Sequence, residues 1–314
     1  MARIPIIHVE GQSMPEAWEN AYLALADRGL VYKRDDPDDS GDQVDSRVLI
    51  DVQNPDSDPF SHRKGGTNAN EGPLYDYLLE MMGARDSWVK NHDDPEDKRW
   101  EYMYHERLAM HPAGKIDQIE FAKQRVAERP FSRRTNLITW YPGRDTVNRH
   151  TPCLQRIWFH VTPGLTGEND TMEMHYEFRS NNVVNASFGN MLGLYVVGCD
   201  VRDVAETQRG KPLDMRLIHS ANSFHVNAHD YKTFLAIAAH IRRSITEKQE
   251  GLDYRTFSRE DIVDGLKGSR QKVEDALLVQ TAKTYSGDLD AERQRVHAIG
   301  DRIFYLLDKY APKQ

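Results

Sequence analysis

The sequence predicts a globular protein in which helices and strands are mixed. It has 314 residues, and its 39% hydrophobic content is enough to bury a sizeable core. Several segments alternate apolar and polar residues, which is the period of a strand with one buried face. Others repeat apolar residues with the period of a helix. We therefore expect one large domain or two modest ones built from both element types.

The first elements are a strand and a capped helix. Residues 4–11 resemble a strand, and residues 13–29 have the punctuation of a helix. Ser13 and Glu16 form a capping box, and Gly29 supplies the stop.

An acidic stretch follows, at residues 34–46, and its turn-forming composition predicts a solvated loop. A calcium loop starting at Asp36 would need glutamate at its twelfth position, where Arg47 stands, so that interpretation fails. Residues 46–55 then predict a strand, and residues 72–83 predict a helix.

The rest of the chain continues with both element types. The predicted elements are a helix that starts at 114 and ends before Pro130, a strand at 135–143, a long hairpin at 153–161 and 171–180, a mostly apolar helix at 188–206, a strand at 217–231 and a helix at 232–245. From Glu247 onward the sequence predicts charged helical segments without an obvious site residue.

Composition predicts a soluble cytoplasmic protein. Two cysteines cannot build a disulfide framework, and the first residues lack the apolar core of a signal peptide. No apolar run approaches the roughly 20 residues that cross a bilayer, so we expect no membrane span. A net charge of −8 argues against a broad grip on nucleic acid.

Cys153 poses the first functional question. An isolated cysteine on a strand is more often a small buried residue than a catalyst. Zinc binding has little support because no CxxC motif occurs, and Arg156 stands where a zinc deaminase needs its second cysteine. A Cys/His hydrolase stays open on composition, although no glycine-rich turn surrounds Cys153.

Arginines beside hydroxyl groups suggest a phosphate site. Arg133 and Arg134 follow a serine, and Arg179 precedes Ser180. Guanidinium forks and a hydroxyl suit a phosphate monoester, and an arginine near the thiol would favour the thiolate that attacks carbon. Together with Cys153 they suggest covalent attack on a phosphorylated substrate.

The order of these motifs resembles the thymidylate synthase family, which includes the pyrimidine nucleotide hydroxymethylases. The segment at 114–155 resembles the family's run of a DQ-containing helix, an SRR pair, a strand with a tryptophan and then PC. Residues 179–190 resemble its RSxDxxxGxxxN segment, and residues 225–227 its HxY segment. The likeness covers about 102–231. It implies an α/β fold with a large mixed sheet flanked by helices, and a sheet face that forms a dimer interface.

The resemblance also implies a chemistry. Cys153 would attack C6 of a pyrimidine nucleoside monophosphate, and C5 would take a carbon from 5,10-methylenetetrahydrofolate. The implied catalytic residues are Cys153, Glu80, Tyr104 and Asn182. The implied substrate-binding residues are Arg34, Arg133, Arg134, Arg179, Ser180, Asn190, His225 and Asn227. The family's arginine pair reaches across from the other subunit, which implies a homodimer. We expect residues 1–246 to form the catalytic domain and 247–314 a helical extension packed on it.

Several positions stay open. Asp76 competes with Glu80 for the acid/base role, and Arg47 competes with Arg34 at the phosphate. Asp117 and the glutamine after it are expected to be mainly structural.

Four departures separate this chain from the family pattern. Leu154 replaces the histidine after the cysteine, Phe178 replaces a glutamine, Asn182 an aspartate and Asn227 the HxY tyrosine. The smaller residue at 227 leaves ribose or deoxyribose open. The amide of Asn190 can face uracil or, turned over, cytosine, and it mildly favours uracil.

The fate of the added carbon is open too. The family closes its site with a C-terminal segment that ends in small apolar residues, whereas this sequence ends FYLLDKYAPKQ. This difference and Leu154 favour hydroxymethyl transfer, with a thymidylate synthase that makes dTMP from dUMP as the alternative. A nucleotide-binding protein without turnover is more distant, and an RNA-binding protein more distant still.

Overall fold

A mixed β-sheet forms the centre of the computed structural model, which describes residues 3–35, 39–66, 71–94, 96–246, 256–285 and 287–312. The strands in these ranges are β1 (Ile6–Gly11), β2 (Leu30–Arg34), β3 (Gly41–Val52), β4 (Ser61–His62), β5 (Thr135–Ile138), β6 (Leu154–Thr162), β7 (Asp170–Phe178), β8 (Asn181–Asn182), β9 (Leu213–Val226) and β10 (Thr256–Phe257). The helices are α1 (Met14–Arg28), α2 (Glu71–Met81), α3 (Tyr104–Ala109), α4 (Gln118–Glu128), α5 (Pro142–Asp145), α6 (Ser187–Arg209), α7 (Tyr231–Thr246), α8 (Arg259–Thr281) and α9 (Leu289–Lys309).

The large sheet has the strand order β1, β3, β9, β7, β6, β5, with β2 beside β3 and β8 beside β9. The β1–β3 and β7–β9 pairs are parallel, and the β3–β9, β6–β7 and β5–β6 pairs are antiparallel. The predicted long hairpin is therefore β6 and β7. Helices α1, α4 and α6 contact the strands, and the expected mixed sheet flanked by helices is confirmed.

The two faces of the sheet differ in burial. On β6, β7 and β9 alternate residues are buried, and the residues between them stay partly exposed. Leu49, Trp158 and His175 lie on this second side, which we call the open face. Its use as a dimer interface stays a prediction.

Helix α6 is almost completely buried. It contacts α2, α4, α9 and the sheet, so a helix with apolar residues on all sides is what this position requires. It ends at Gly210, whose φ of 64° lies in the left-handed region that favours glycine. The predicted apolar helix is confirmed.

The acidic stretch is only partly a loop, which corrects the prediction. Residues 36–38, where the calcium-loop interpretation would begin, lie outside the described part, but β3 already starts at Gly41. Gln43 and Asp45 are buried. Asp45 accepts a hydrogen bond from Ser223 at 3.0 Å on β9, so its carboxylate is satisfied by a partner distant in sequence. Alternation alone could not reveal that partner.

Both ends of α1 differ in detail from the prediction. Ser13 Oγ accepts from the Glu16 N–H at 3.4 Å, but the Glu16 carboxylate accepts from the backbone of Gln12 rather than Ser13. Gly29 ends the helix with an extended backbone. A Cβ there would lie 2.4 Å from Val44 Cγ2, so close packing against β3 requires the glycine.

The last helices pack on the same core. Helix α8 contacts α2, and α9 contacts α6 and α8. Arg302 and Lys309 of α9 bind the acidic Asp203 of α6. A boundary at residue 246 stays a prediction, because residues 247–255 lie outside the described part. Among the described helices, none combines the length and apolar character needed to span a bilayer.

Candidate active site

A cavity of about 880 Å³ lies where β6, β8, β9 and the helices α2 and α6 meet. Its walls come from α2, from the chain segment 98–104, from Cys153, from residues 180–182 and from α6 and β9. Six of the residues predicted from the motifs line it, namely Cys153, Tyr104, Ser180, Asn182, Asn190 and His225. Glu80, predicted with Asp76 as its competitor, lines it as well.

Cys153 directly precedes β6 and lies partly buried beside the cavity. Its Sγ lies 3.6 Å from Ser180 Oγ, and its carbonyl accepts the backbone N–H of Arg179 at 2.8 Å. The other cysteine, Cys199, is fully buried in α6, and burial raises its pKa to about 12. Of the two thiols, only Cys153 can meet a substrate.

The guanidinium of Arg179 holds the segment that carries the cysteine. It donates to the carbonyl of Pro152 at 3.2 Å, to that of Thr151 at 3.0 Å and to Ser180 Oγ at 3.3 Å. One arginine therefore orients both the backbone before Cys153 and the nearest hydroxyl, and it brings a fixed positive charge beside the thiol.

Glu80 and Asp76 share one arginine, but they differ in whether they line the cavity. Glu80 lines the cavity, and its Oε2 accepts from Arg85 at 2.7 Å. Asp76 binds the same guanidinium and lies outside the residues that line the cavity. Burial raises the pKa of Glu80, and the Arg85 cation opposes that rise. Of the two competing carboxylates, Glu80 is the one that lines the cavity, and its acid/base role stays a prediction.

Three tyrosines crowd the same wall. Burial raises the pKa values of Tyr77 and Tyr104 well above the ordinary phenol range, and that of Tyr102 to about 12. Each therefore stays a neutral O–H donor. Tyr102 donates to the carbonyl of Thr151 at 3.2 Å, next to the cysteine segment.

Asn182 and Asn190 have different surroundings in the cavity wall. Asn182 Oδ1 accepts the backbone N–H groups of Val184 and Asn185, so it fixes the turn that leads into α6. Asn190 accepts from the Tyr77 hydroxyl and donates to Asn181 Oδ1 at 3.2 Å.

His225 lines the cavity from β9. Its Nδ1 lies 3.3 Å from Ser223 Oγ, and Ser223 donates to the buried Asp45. Asn227, two residues further, is partly buried at the start of the turn 228–230 and lies outside the lining residues.

Three predicted arginines and one competitor lie away from the cavity of their own chain. Arg34 ends β2, and Arg47 lies on the open face of β3. Arg133 and Arg134 are exposed between α4 and β5, where the Arg133 carbonyl accepts from Trp158 on the open face at 3.1 Å. Their roles stay predictions.

Asp117 and Gln118 have contacts that are structural. Asp117 caps α4 by accepting the Glu120 N–H at 2.8 Å. The Gln118 amide binds the Ile138 N–H and carbonyl, both at 2.9 Å, and the Arg107 carbonyl at 3.1 Å. It therefore ties α3 to β5.

Two of the four departures lie in the core. Leu154 and Phe178 are fully buried. Both side chains pack inward from adjacent strands, since they face each other across the β6–β7 pair.

Sequence reasoning missed part of the wall. Tyr77, Asn181 and His150 line the cavity, although none of them is among the predicted site residues. The segment 98–103 also lines it, and its aromatic and charged residues directly before Tyr104 were the available signal.

Comparisons with known proteins agree with this architecture, although no family model matches the chain. The chain is 32% identical over 186 residues to a "Putative thymidylate synthase" of Methanopyrus kandleri. The aligned region covers 59% of this chain and 78% of the relative. The chain belongs to the thymidylate synthase family. A relative with the same name from Methanosarcina barkeri is 25% identical over 224 residues, 71% of this chain and 90% of that one.

A solved member of the family has the same fold. The thermostable thymidylate synthase A from Bacillus subtilis matches with a TM-score of 0.51 at 15% identity, over 72% of this chain and 84% of that one. The fold class predicted from the family resemblance is therefore confirmed.

Proposed function

We propose that this thymidylate synthase family member transfers a one-carbon unit to C5 of a pyrimidine nucleoside monophosphate, and that the product is the 5-hydroxymethyl nucleotide. The observation that carries the proposal is the approach of Cys153 Sγ to Ser180 Oγ, 3.6 Å, on a cavity that Glu80, Tyr104 and Asn190 also line. A nucleophile, a proton carrier and an amide for a base edge thus face one space.

Cys153 begins the reaction. Its thiolate adds to C6, so an Sγ–C6 bond forms and the electron pair of the C5–C6 double bond moves toward C5 and the C4 substituent. We assign the phosphate to Ser180, which lines the cavity, and to Arg179, whose guanidinium donates to Ser180 Oγ at 3.3 Å. When C5 bonds to the one-carbon unit, C5 would lose its proton and the carbon–nitrogen bond to tetrahydrofolate would break. Water would then supply a hydroxyl to the transferred carbon, and expulsion of the Cys153 thiolate from C6 would restore the C5–C6 double bond.

Glu80 and Tyr104 manage the protons. Glu80 in its carboxylate form accepts a proton and returns it later, a role suited to a group whose pKa burial has raised. Tyr104 stays protonated and donates a hydrogen bond toward the carbonyl side of the reacting ring.

The cavity has room for a second ligand next to the nucleotide. Trp100 and Met103 form an apolar part of its wall. The charged Lys98, Arg99 and Glu101 line it as well, and Arg99 is paired with Asp97 at 2.7 Å. Flat rings and carboxylates suit this combination. 5,10-methylenetetrahydrofolate, when bound, supplies the one-carbon unit at the oxidation level of formaldehyde.

Polar lining supports hydroxymethyl transfer over methyl transfer. Methyl transfer needs a hydride delivered in a dry space, whereas hydroxymethyl transfer needs one water at the added carbon. Ser180, Asn181, Asn182 and His225 all present hydrogen-bonding groups to the cavity. The buried Leu154 leaves the position after the nucleophile without a polar group facing the cavity.

The experiment is incubation of the full chain with methylenetetrahydrofolate and dUMP, dCMP or CMP in turn. Mass spectrometry of the nucleotide and absorbance of dihydrofolate are recorded together. A hydroxymethyl nucleotide without dihydrofolate supports the proposal. A methyl nucleotide with equimolar dihydrofolate overturns it in favour of the alternative, a thymidylate synthase, which the names of the relatives favour. Binding of nucleotide without any product would leave a non-catalytic nucleotide-binding protein.

We further propose that the active unit is a homodimer formed through the open face. Arg133 and Arg134 lie at that face and outside their own cavity, so they are available to the phosphate of a second subunit. Arg34 is the proposed further phosphate ligand, with Arg47 as its competitor.

A mixed-dimer experiment tests this sharing. Cys153→Ser protein and the double variant Arg133→Ala/Arg134→Ala are each expected to be inactive alone. After exchange of subunits, half of the dimers hold one complete site, so about one quarter of the wild-type activity returns. Activity that stays absent in the mixture, with dimers present by light scattering, would contradict shared sites.

A further inference from the structure

A chain of buried amides runs from the cavity into the core. The Tyr77 hydroxyl donates to Asn190 Oδ1, and Asn190 Nδ2 donates to Asn181 Oδ1 at 3.2 Å. Asn181 Nδ2 then faces His219 Nε2 at 3.2 Å. Asn181 is 3% exposed and His219 is completely buried, so water cannot replace their hydrogen-bond partners. We call these four side chains the amide relay.

His219 ends the relay inside an aromatic cage. Its ring stacks on Phe178 at 5.4 Å and meets the edges of Tyr176 and Phe224. Burial lowers the pKa of His219 to about 3, so the ring is neutral and carries a single N–H. Nδ1 has no hydrogen-bond partner among the described residues. Nε2 is therefore the contact through which the ring enters the relay.

Because each amide has one donor end and one acceptor end, the hydrogen bonds of the relay can be donated in only two directions, toward His219 or toward Tyr77. If Nδ1 carries the proton, Nε2 accepts from Asn181, and Asn190 must turn its nitrogen to Asn181 and its oxygen to Tyr77. If Nε2 carries the proton, both amides turn over together. The described arrangement is the first direction, with Tyr77 as donor at the far end.

Each direction presents a different pattern to a ligand. Asn190 keeps one lone pair and one N–H beyond those used in the relay, and turning the amide over exchanges their positions. Uracil offers a donor at N3 and an acceptor at O4, whereas cytosine offers an acceptor at N3 and a donor at N4. The two bases are complementary to opposite orientations of the same amide.

We infer that Asn181 and His219 are positioning residues that fix the orientation of the Asn190 amide, and that the direction of the amide relay selects uracil or cytosine. This inference rests on the proposed function, since it concerns the base of that substrate. It assigns specificity to two residues that need not touch the base. The base preference is thereby set by Asn181 in the cavity wall and by His219 in the core behind it.

The test measures the ratio of dissociation constants for dUMP and dCMP by calorimetry, in the full-length chain. His219→Phe keeps a ring in the aromatic cage but removes Nε2, so Asn181 loses its fixed orientation. We expect the discrimination between the two bases to fall about ten-fold, equivalent to about 1.4 kcal/mol. A merely structural role would weaken binding of both nucleotides equally and leave the ratio unchanged.

Two further variants complete the design. Tyr176→Phe is the matched control, because its hydroxyl has no partner among the described residues and its ring touches His219 outside the relay. It is expected to keep the wild-type ratio. Asn181→Asp offers only acceptors to Asn190, which forces the described direction, so the base preference should be kept. Asn181→Asp also serves if His219→Phe does not fold.

The outcomes distinguish failure of the proposed function from failure of the inference about the amide relay. Wild-type protein that binds neither nucleotide overturns the proposed function and the inference with it. Three results overturn the inference alone. They are equal binding of both bases by the wild-type protein, an unchanged ratio in His219→Phe, and a reversed base preference in Asn181→Asp. A ratio that collapses in His219→Phe and persists in Tyr176→Phe and Asn181→Asp supports it.

Discussion

Replacing Arg85 with methionine is expected to move the acid limb of the pH–activity profile to higher pH. Arg85 is the cation that opposes the effect of burial on Glu80. Without it, the ionised carboxylate loses its stabilising partner while the burial remains, so the pKa of Glu80 rises further. Activity that depends on the carboxylate form is then reached only at higher pH.

The size of the effect follows from the contact. Arg85 Nη1 lies 2.7 Å from Glu80 Oε2, and the two side chains are 18% and 20% exposed. Two unit charges about 4 Å apart attract by about 4 kcal/mol at an effective dielectric constant of about 20. Because Asp76 shares the guanidinium and solvent screens part of the field, we expect about half of this attraction, about 2 kcal/mol. At pH values below the acid limbs of both proteins, the ionised fraction of Glu80 would therefore be about 30-fold smaller in the variant than in the wild type.

The assay is kcat/KM for release of tritium from a nucleotide labelled at C5, measured across the pH range. Arg85→Lys is the matched control, since it keeps the charge but loses the fork, and it should shift the limb less. Thermal melts of both variants exclude unfolding as the cause. An Arg85→Met profile that superposes on the wild-type profile would refute Glu80 as the proton carrier.

Three further predictions concern the nucleophile, the sugar and the scaffold. Cys153→Ser should lower tritium release by roughly 10³-fold or more, and substantial residual turnover would contradict covalent catalysis. Asn227→Tyr fills the sugar edge, so kcat/KM for CMP relative to dCMP should fall about ten-fold; an unchanged ratio would remove Asn227 from the sugar site. Gln118→Ala leaves buried backbone groups unpaired and should lower the free energy of unfolding by about 2–4 kcal/mol, measured by chemical denaturation, whereas a change below about 0.5 kcal/mol would contradict its bridging role.

Periodic patterns predicted most of the fold because most elements have one buried face. The hairpin of β6 and β7 and the apolar helix α6 follow directly from such patterns. The first half of β3 was not predicted as a strand, because its buried polar residues have hydrogen-bond partners distant in sequence. Ser223, for example, donates to Asp45. A local pattern contains no record of such a partner.

The order of the motifs predicted that their residues meet at one site, which no single residue indicated. Cys153 considered alone was best interpreted as a core residue, yet it lies with Ser180, Asn190 and His225 on one cavity. Of the two carboxylates four residues apart on α2, Glu80 lines the cavity and Asp76 does not, and the acid/base role of Glu80 stays a prediction. Spacing in the sequence could not make that distinction.

Other parts of the site could not be predicted for physical reasons. Asn181 is one of two adjacent asparagines, and only the packing of β8 against β9 turns it toward His219. Arg133 and Arg134 lie outside the cavity of their own chain, so their predicted phosphate role would need a second subunit. Their contribution to the phosphate site stays a prediction.

The most direct test of the central claim is trapping with 5-fluoro-dUMP and methylenetetrahydrofolate, followed by peptide mass spectrometry. Fluorine at C5 prevents the proton loss that normally follows, so the Sγ–C6 bond persists. We predict an adduct of nucleotide and folate on the peptide that contains Cys153, and none in Cys153→Ser. Wild-type protein that forms no adduct while binding the nucleotide, or an adduct on Cys199, would contradict covalent attack by Cys153.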